Sequence, residues 1–594
     1  MSSIVDEPRA FRGEHWAVPA LAARLRPALP LIAVTIAAIV LRLLIVTATD
    51  VSWLITLSEK ILEGTRLYAD LIEVNPPASV LLYLPAVALS RLIGVAPEIV
   101  VDALVFLAAG ASLWITSRIL MRARLLDGID GWTLAAFAAF LLLVFPARIF
   151  AQREHVAVIV LLPVLAAYVA RARGISPGLA ATVIAGIGTG IALSIKPHFA
   201  LAIVFAAAAA AYHAKSWRLY FVPEHWIAGG IVAVYGASIF VFYPQFISDV
   251  LPLVQTVYVP ARLPWFTILT RTPVNFWLLS IFLLVRQQRG AIFQPRFSIL
   301  LTASCGFALA YAVQGKGWPY HTYPMLALAL LALAILASAR EGMAPEAVAT
   351  KHSGMDRLAL LAITAGLIGA SVYWLIMYSF GLAYAAEGKG WPYHAFPMFM
   401  LALLVLASLA SGRQGTAPAA AAIKHSRMDR LILLAMTAGL VGASFYWLTI
   451  AVDYTPLAET IRRNAIAPKM LAISSDIGLG HPLVRQAGGA WAQRVGSLWI
   501  TDKAEWLLKT EKSQAASARL QRYAARDRAM LLEDIGRERP DIILLDMDWE
   551  ARTRSDPALS ALLRAYSEIS REQGIIILGR NDREKPRKGS IGSN

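Results

Sequence analysis

Along the chain, hydrophobic residues fall in blocks of roughly 20 separated by short polar turns rich in Arg and Lys, the length a helix needs to cross about 30 Å of hydrocarbon. The blocks predict crossings near 28–48, 98–118, 131–148, 155–171, 176–194, 198–213, 225–243, 272–288, 297–313, 322–339, 358–380, 394–411 and 430–451, about thirteen in all. Segment 77–94 is apolar but short, contains Pro85 and carries Arg91. A full crossing there would put Arg122 and Arg124 on the wrong side, so it is expected to be an interfacial or re-entrant helix. From about 452 the pattern changes to mixed charge, with an amphipathic helical stretch at 503–535 and β-rich runs at Asp541–Leu545 and Gly574–Leu578. These predict a soluble α/β domain over 452–580, followed by a disordered tail, 581–594.

Composition agrees: 58% of the 594 residues are hydrophobic, 16% are charged, and the mean hydropathy is +0.59. A soluble chain carries about a quarter charged residues, so this one is a mostly α-helical, polytopic membrane protein with a soluble α/β domain at its C-terminal end. The net charge of +16 does not call for nucleic acid, because the basic residues cluster between apolar blocks as the positive-inside rule requires. Arg9–Arg26, Arg122/Arg124, Arg171/Arg173, Lys215/Arg218, Arg286/Arg289/Arg296, Arg340, Lys351/Arg357, Arg413 and Lys424/Arg427/Arg430 are then cytoplasmic, with residues 1–27 inside and the C-terminal domain outside. Cys305 is the single cysteine, which excludes disulfides and cysteine metal sites within the chain. No small-residue cleavage pattern follows the first apolar run, which reads as an uncleaved span.

The chain contains a tandem duplication. GKGWPYH occurs at 315–321 and at 388–394, and 309–375 matches 382–448 at 48 of 67 positions. Each unit, about 307–379 and 380–452, holds two spans and an inner loop, so one extra unit leaves downstream orientation unchanged.

Ionisable residues at the mouths of spans are expensive without partners or water, which makes them functional candidates. On the outer side they gather in the stretch Asp50–Pro77 (Asp50, Glu59, Tyr68, Asp70, Glu73, Asn75), in Arg153-Glu154-His155, in Lys196-Pro197-His198, and in Lys316/His321 and Lys389/His394 of the two repeats. A carboxylate at the membrane boundary can act as general base on an acceptor hydroxyl, and cations can hold a phosphate leaving group. Plainer readings stand beside these. Asp50 is also an ordinary residue past a span, Glu154 can pair with Arg153, Lys196 can snorkel to the interface, and Trp318/Tyr320 and Trp391/Tyr393 fit an aromatic belt.

An acidic residue after the first span, then Gly64-x-x-x-Tyr68-x-Asp70-x-x-Glu73-x-Asn75-Pro76-Pro77 leading into an interfacial helix, resembles the first outer loop of GT-C integral-membrane glycosyltransferases. The nearest likeness is to the protein O-mannosyltransferase and lipid A aminoarabinose transferase group. Arg153-Glu154-His155 falls where that group has its second acidic site, with Glu154 where Asp is more usual, and Lys196-Pro197 resembles its Lys-Gly/Lys-Pro turn. The resemblance implies a GT-C-like fold over 28–451. It implies transfer of a sugar from a polyprenyl-phosphate donor to a cell-envelope glycan, lipid or protein on the periplasmic side of the cytoplasmic membrane. Carried over, Asp50 would be the base, Glu154 with His155 the second polar group of the cavity, and Lys196 a donor-phosphate contact, with Arg153 a further candidate. Tyr68, Asp70, Glu73, Asn75, His198, and Lys316/His321 or Lys389/His394 would contact donor or acceptor. No particular cofactor follows from the residues, and a divalent cation is left open. A divalent cation would fit only if Asp50 and Glu154 converged, and no metal-ligand spacing is present. A transporter or flippase of lipid-linked glycans is the alternative, but it predicts charges in mid-span and repeats across the whole fold.

In the C-terminal domain, Gly478, Gly480 and His481 could contact a saccharide or the acceptor, and Asp546 and Asp548 could bind a cation, although solvated carboxylates are the commoner outcome. The domain is expected to cap the cavity and help choose the acceptor.

Overall fold

The structure is a computed structural model that describes residues 26–287, 294–338, 439, 442 and 454–583. The expected spans at 358–380, 394–411 and, apart from residues 439 and 442, 430–451, and with them Lys389 and His394, lie outside the described residues. Ten expected spans remain. Seven are helices of 18 residues or more with the hydropathy of a crossing, whereas the helices within 131–148, 176–194 and 272–288 are shorter.

The membrane part is built from α1 (Leu29–Leu44), α2 (Thr49–Leu62), α3 (Leu84–Ile93), α4 (Pro97–Arg122), α5 (Gly131–Ala139), α6 (Arg153–Ala172), α7 (Leu179–Ile195), α8 (Ala200–Ala214), α9 (Pro223–Phe242), α10 (Thr272–Gln287), α11 (Pro295–Gln314) and α12 (Pro319–Ala337). Prolines open α4, α9, α11 and α12, where the missing N–H is an orphan in any case. Helix α6 is the hub and buries 17 of its 20 residues. Helices α1 and α9 bury little and present apolar side chains outward, as a lipid-facing surface would. Small residues let the helices approach closely. Gly188 of α7 lies against the Val160 carbonyl of α6, while Gly186 and Gly190 lie against Ile227 and Ile231 of α9.

Contacts sort the helix ends into two groups. At one end Arg171 of α6 pairs with Glu224 of α9, His213 of α8 meets Ser298 of α11, and the Asp130 amide before α5 donates to the Ser338 carbonyl after α12. The described basic clusters collect there. At the other end the starts of α2, α6 and α12 meet the end of α7.

Two elements depart from the pattern reading. Asp50 does not follow a span in a loop: it sits in the first turn of α2, whose residues 51–58 are all buried. The chain bends at Ile45, which is extended, and at once begins this second helix. Residues 246–258, expected as connection, are helical through two wide turns, Phe246–Val250 and Val254–Tyr258. The 77–94 segment is a short helical turn, Ala78–Leu81, followed by α3 beginning at Leu84 with Pro85 in its first turn.

After the membrane helices come α13 (Thr455–Asn464), β1 (Lys469–Ile473), β2 (Ala490–Trp491), α14 (Trp499–Leu508), α15 (Gln514–Glu538), β3 (Ile542–Asp546), α16 (Met547–Ser555), α17 (Pro557–Leu563), β4 (Tyr566–Glu572) and β5 (Ile575–Arg580). They form a five-stranded sheet of order β2-β1-β3-β5-β4, in which β1 is parallel to β2 and β3, while β5 is antiparallel to β3 and β4. The expected runs are β3 and β5. The single helical stretch 503–535 is instead two helices, because Ser513 caps α15 through the Ala516 amide and starts it anew.

Candidate active site at one end of the helix bundle

Four connections deliver the polar side chains. Asp50 comes from the first turn of α2, Gln152, Arg153 and Glu154 from the start of α6, Lys196 from the turn after α7, and Tyr320 and His321 from the start of α12. An Arg153 Nη2 donates to Asp50 Oδ2 at 2.9 Å. The Lys196 ammonium donates to Glu154 Oε1, which also lies 3.4 Å from His321 Nε2. Lys196 Nζ is 3.5 Å from the same His321 nitrogen and 5.5 Å from the Tyr320 ring centroid. Arg153, Glu154, Lys196 and His321 are all buried, and Asp50 is half-buried at the edge.

Two carboxylates therefore face two cations in a nearly neutral cluster, not a lone acid beside a ring of cations. Asp50 and Glu154 each bind a different cation instead of converging, and among the described residues no group of three or more His, Cys, Asp or Glu could hold a metal.

The cluster is unfinished. Gln152 Oε1, Arg153 Nε and Nη1, Glu154 Oε2, His321 Nδ1 and His198 Nε2 are all buried without a hydrogen-bond partner. Leaving one such group unmet costs about 1–3 kcal/mol, so six together mark a place where water or a polar ligand belongs. Lys196 does not snorkel outward; it turns inward to Glu154.

The other sequence candidates are placed elsewhere. His155 spends both ring nitrogens on backbone, accepting from the Ala151 amide at 3.0 Å and donating to the Leu142 carbonyl at 2.6 Å, and it packs on Phe150 and Tyr323. Glu73 accepts from Trp53 Nε1 at 2.6 Å and from both the amide and the side chain of Asn75, whose carbonyl takes the Tyr68 hydroxyl. These three shape the first loop. Asp70 is exposed and paired with Arg66. Lys316 donates to the carbonyls of Tyr258 and Ala261 and sits 4.0 Å from the Tyr258 ring centroid, and burial lowers its pKa to about 8 with help from Arg262 and Lys503. It fastens the 258–262 turn. In the C-terminal domain, His481 is fully buried between Trp53 and Trp491, Gly480 lies against Trp491, and Asp546 caps α16 through the Asp548 amide.

Sequence reasoning missed Gln152, Tyr258 and Arg271. Gln152 adjoins Arg153 in the same helix start, so its position was available. Tyr258 lies within electrostatic reach of Asp50 and stands edge-to-face with Trp499 of the C-terminal domain, ring centroids 5.9 Å apart, but its helix carries no polar motif. Arg271, whose Nε is buried and unpartnered, stands in no motif of the sequence.

No family model matches the chain, and no curated protein does. Solved structures do. A crystal structure of ArnT from Cupriavidus metallidurans bound to undecaprenyl phosphate is 14% identical, covers 92% of this chain and 97% of its own, and superposes with a TM-score of 0.50. The apo structure of the same protein gives 14% identity, the same coverage and a TM-score of 0.51. This chain has the fold of ArnT. The likeness spans both the helix bundle and the C-terminal sheet, as the expected helical membrane part followed by an α/β domain requires.

Proposed function

We propose that the chain is a multi-pass glycosyltransferase of the cytoplasmic membrane that moves a sugar from a polyprenyl-phosphate donor to a hydroxyl-bearing acceptor on the periplasmic side. The observation that carries this reading is the buried, half-satisfied cluster Asp50–Arg153 and Glu154–Lys196–His321 at the end of the bundle away from the basic clusters. A polyprenyl chain stays in hydrocarbon, so its phosphate lies at the interface, which is the depth of helix ends. The fold shared with a protein crystallised with undecaprenyl phosphate supports a lipid of that kind as donor.

In this reading the acceptor oxygen attacks the anomeric carbon while the bond from that carbon to the phosphate oxygen breaks. The acceptor proton passes to Asp50, and the lipid phosphate departs with the electron pair. Arg153 orients Asp50 with one nitrogen and offers its unmatched Nε and Nη1 to the phosphate; Lys196 adds a second charge from its seat on Glu154. Removing one such charge-stabilising group costs about 3–4 kcal/mol, a hundredfold or more in rate. The C-terminal sheet roofs the site, and its acceptor is a glycan, lipid or protein of the envelope.

The test is transfer in proteoliposomes from a panel of polyprenyl-phosphate sugars. Asp50→Asn is expected to abolish turnover while leaving donor binding within a few fold, and Arg153→Met to weaken both. A donor that reacts equally with wild type and Asp50→Asn overturns the mechanism.

A further inference from the structure

Helix α2 is held from above as well as from the bundle. In the C-terminal sheet, β1 is flanked by β2 on one side and β3 on the other, and ligands of open α/β sheets bind at the carboxyl ends of the strands where the order reverses. Here that end is filled by the membrane part. The turn after β1 brings Ile477 and His481 down onto Trp53 of α2. The His481 ring centroid is 5.0 Å from the ring of Trp53 and 4.8 Å from that of Trp491, and Trp53 also lies against Gly496. Arg485 then reaches past this stack. Its guanidinium forks onto Glu59 of α2 at 2.6 and 3.0 Å and donates to Glu98 at the start of α4. The Ile72 amide donates to the Arg494 carbonyl at 2.9 Å.

Trp53 is one helical turn from Asp50, so whatever holds the indole sets the carboxylate. The Asp50–Arg153 bond is a single contact of 2.9 Å, and a 1 Å displacement would break it and cost about a hundredfold in rate.

We propose that the C-terminal sheet is a clamp on α2, with Arg485 and His481 as positioning residues that hold Asp50 against Arg153; its effect on turnover rests on the function proposed above. The sheet thus uses its ligand-binding end on a helix of its own chain, and the catalytic carboxylate is set by residues more than 400 positions away in sequence.

The full-length protein in lipid nanodiscs provides the test, with Arg485→Met, Arg485→Lys and, from the helix side, Glu59→Gln, which keeps Arg485 on Glu98. Hydrogen exchange of the α2 amides is read against those of α7 and α8, and kcat against donor KM. Arg485→Met is expected to speed α2 exchange at least tenfold and lower kcat at least tenfold, with KM within twofold. Glu59→Gln should give a smaller change of the same kind, and Arg485→Lys should recover part of both. Unchanged α2 exchange, or exchange that rises only in β1–β5, overturns the clamp. Faster α2 exchange with unaltered kcat overturns the positioning of Asp50. If the wild type transfers no sugar, the functional reading fails while the exchange data still decide the clamp.

Discussion

Replacing Glu154 by alanine strands the Lys196 ammonium. Glu154 is 1% exposed and Lys196 is 7% exposed, so the ammonium loses its anionic partner in a low-dielectric site, and the neighbouring His321 and Arg153 offer no negative charge. Removing one partner of a buried pair costs about 3–5 kcal/mol, whereas replacing both by apolar groups of similar size is often neutral. Glu154→Ala is therefore expected to lower the denaturation midpoint in detergent micelles by an amount equivalent to at least 3 kcal/mol. The double variant Glu154→Met/Lys196→Met should return to within about 1 kcal/mol of wild type.

Transfer from a polyprenyl-phosphate sugar separates structure from chemistry. A purely structural pair predicts that the double variant regains both stability and turnover. The proposed phosphate role for Lys196 predicts stability without turnover, at least a hundredfold down. The reasoning is refuted by a Glu154→Ala protein less than 1 kcal/mol destabilised, or by a double variant with normal turnover.

Two further outcomes are expected. Gly188→Ala pushes a methyl onto the Val160 carbonyl where α7 crosses α6, so it should destabilise the bundle by about 1–3 kcal/mol, read as a lower denaturation midpoint, whereas Gly230→Ala faces open space and should not. Burial raises Asp527 from 3.8 to about 6 against the hydrogen bonds from Thr501 that lower it; its stabilising contribution is complete below about pH 4 and is lost as pH rises through 6. Exchange protection of β1 and β3 in Asp527→Asn should match wild type below pH 4 and exceed it by up to about 3 kcal/mol at pH 7. His481, held near 3 by burial and by the charges of Arg485 and Lys60, acts with the opposite sign below 6.5, which is why the wild-type-minus-variant difference is the quantity to read.

The long-range period of hydropathy made the bundle legible, because a crossing helix needs one apolar run and no knowledge of its partners. The basic turns marked one set of helix ends, and so the opposite set, at which Asp50, Arg153, Glu154, Lys196 and His321 meet. Their pairing was not legible. Nothing in Arg153-Glu154 says that the arginine turns to α2 and the glutamate to α7, since that depends on which helices flank α6. The same limit hid the structural fate of Glu73 and His155, whose partners are an indole and two backbone groups. In the C-terminal domain β1 is Lys469 followed by four apolar residues, a run that a buried helix would share. The outermost strand, β4, reads Tyr566-Ser-Glu-Ile-Ser-Arg-Glu572 and buries none of its residues fully, so it carries no alternation to detect.

The division of labour inside the cluster follows from its charge count. Two acids and two bases cancel, so an arriving lipid phosphate finds no surplus positive charge. It finds unmatched donors, and those with charge behind them belong to Arg153, whose remaining nitrogen already holds Asp50. On the proposed reaction one guanidinium then serves both the leaving group and the base. A phosphate drawn onto Arg153 and the Asp50 carboxylate are then held in one plane by the same guanidinium. Arginine suits this post better than lysine, because its planar fork can present separate N–H groups to two anions at once. Arg153→Lys should accordingly keep the cluster's net charge and its fold while uncoupling the two tasks. The expected signature is a fall in kcat together with a rise in donor KM at an unchanged denaturation midpoint; a variant that keeps the wild-type kcat and donor KM would show that Asp50 and the phosphate do not share this side chain.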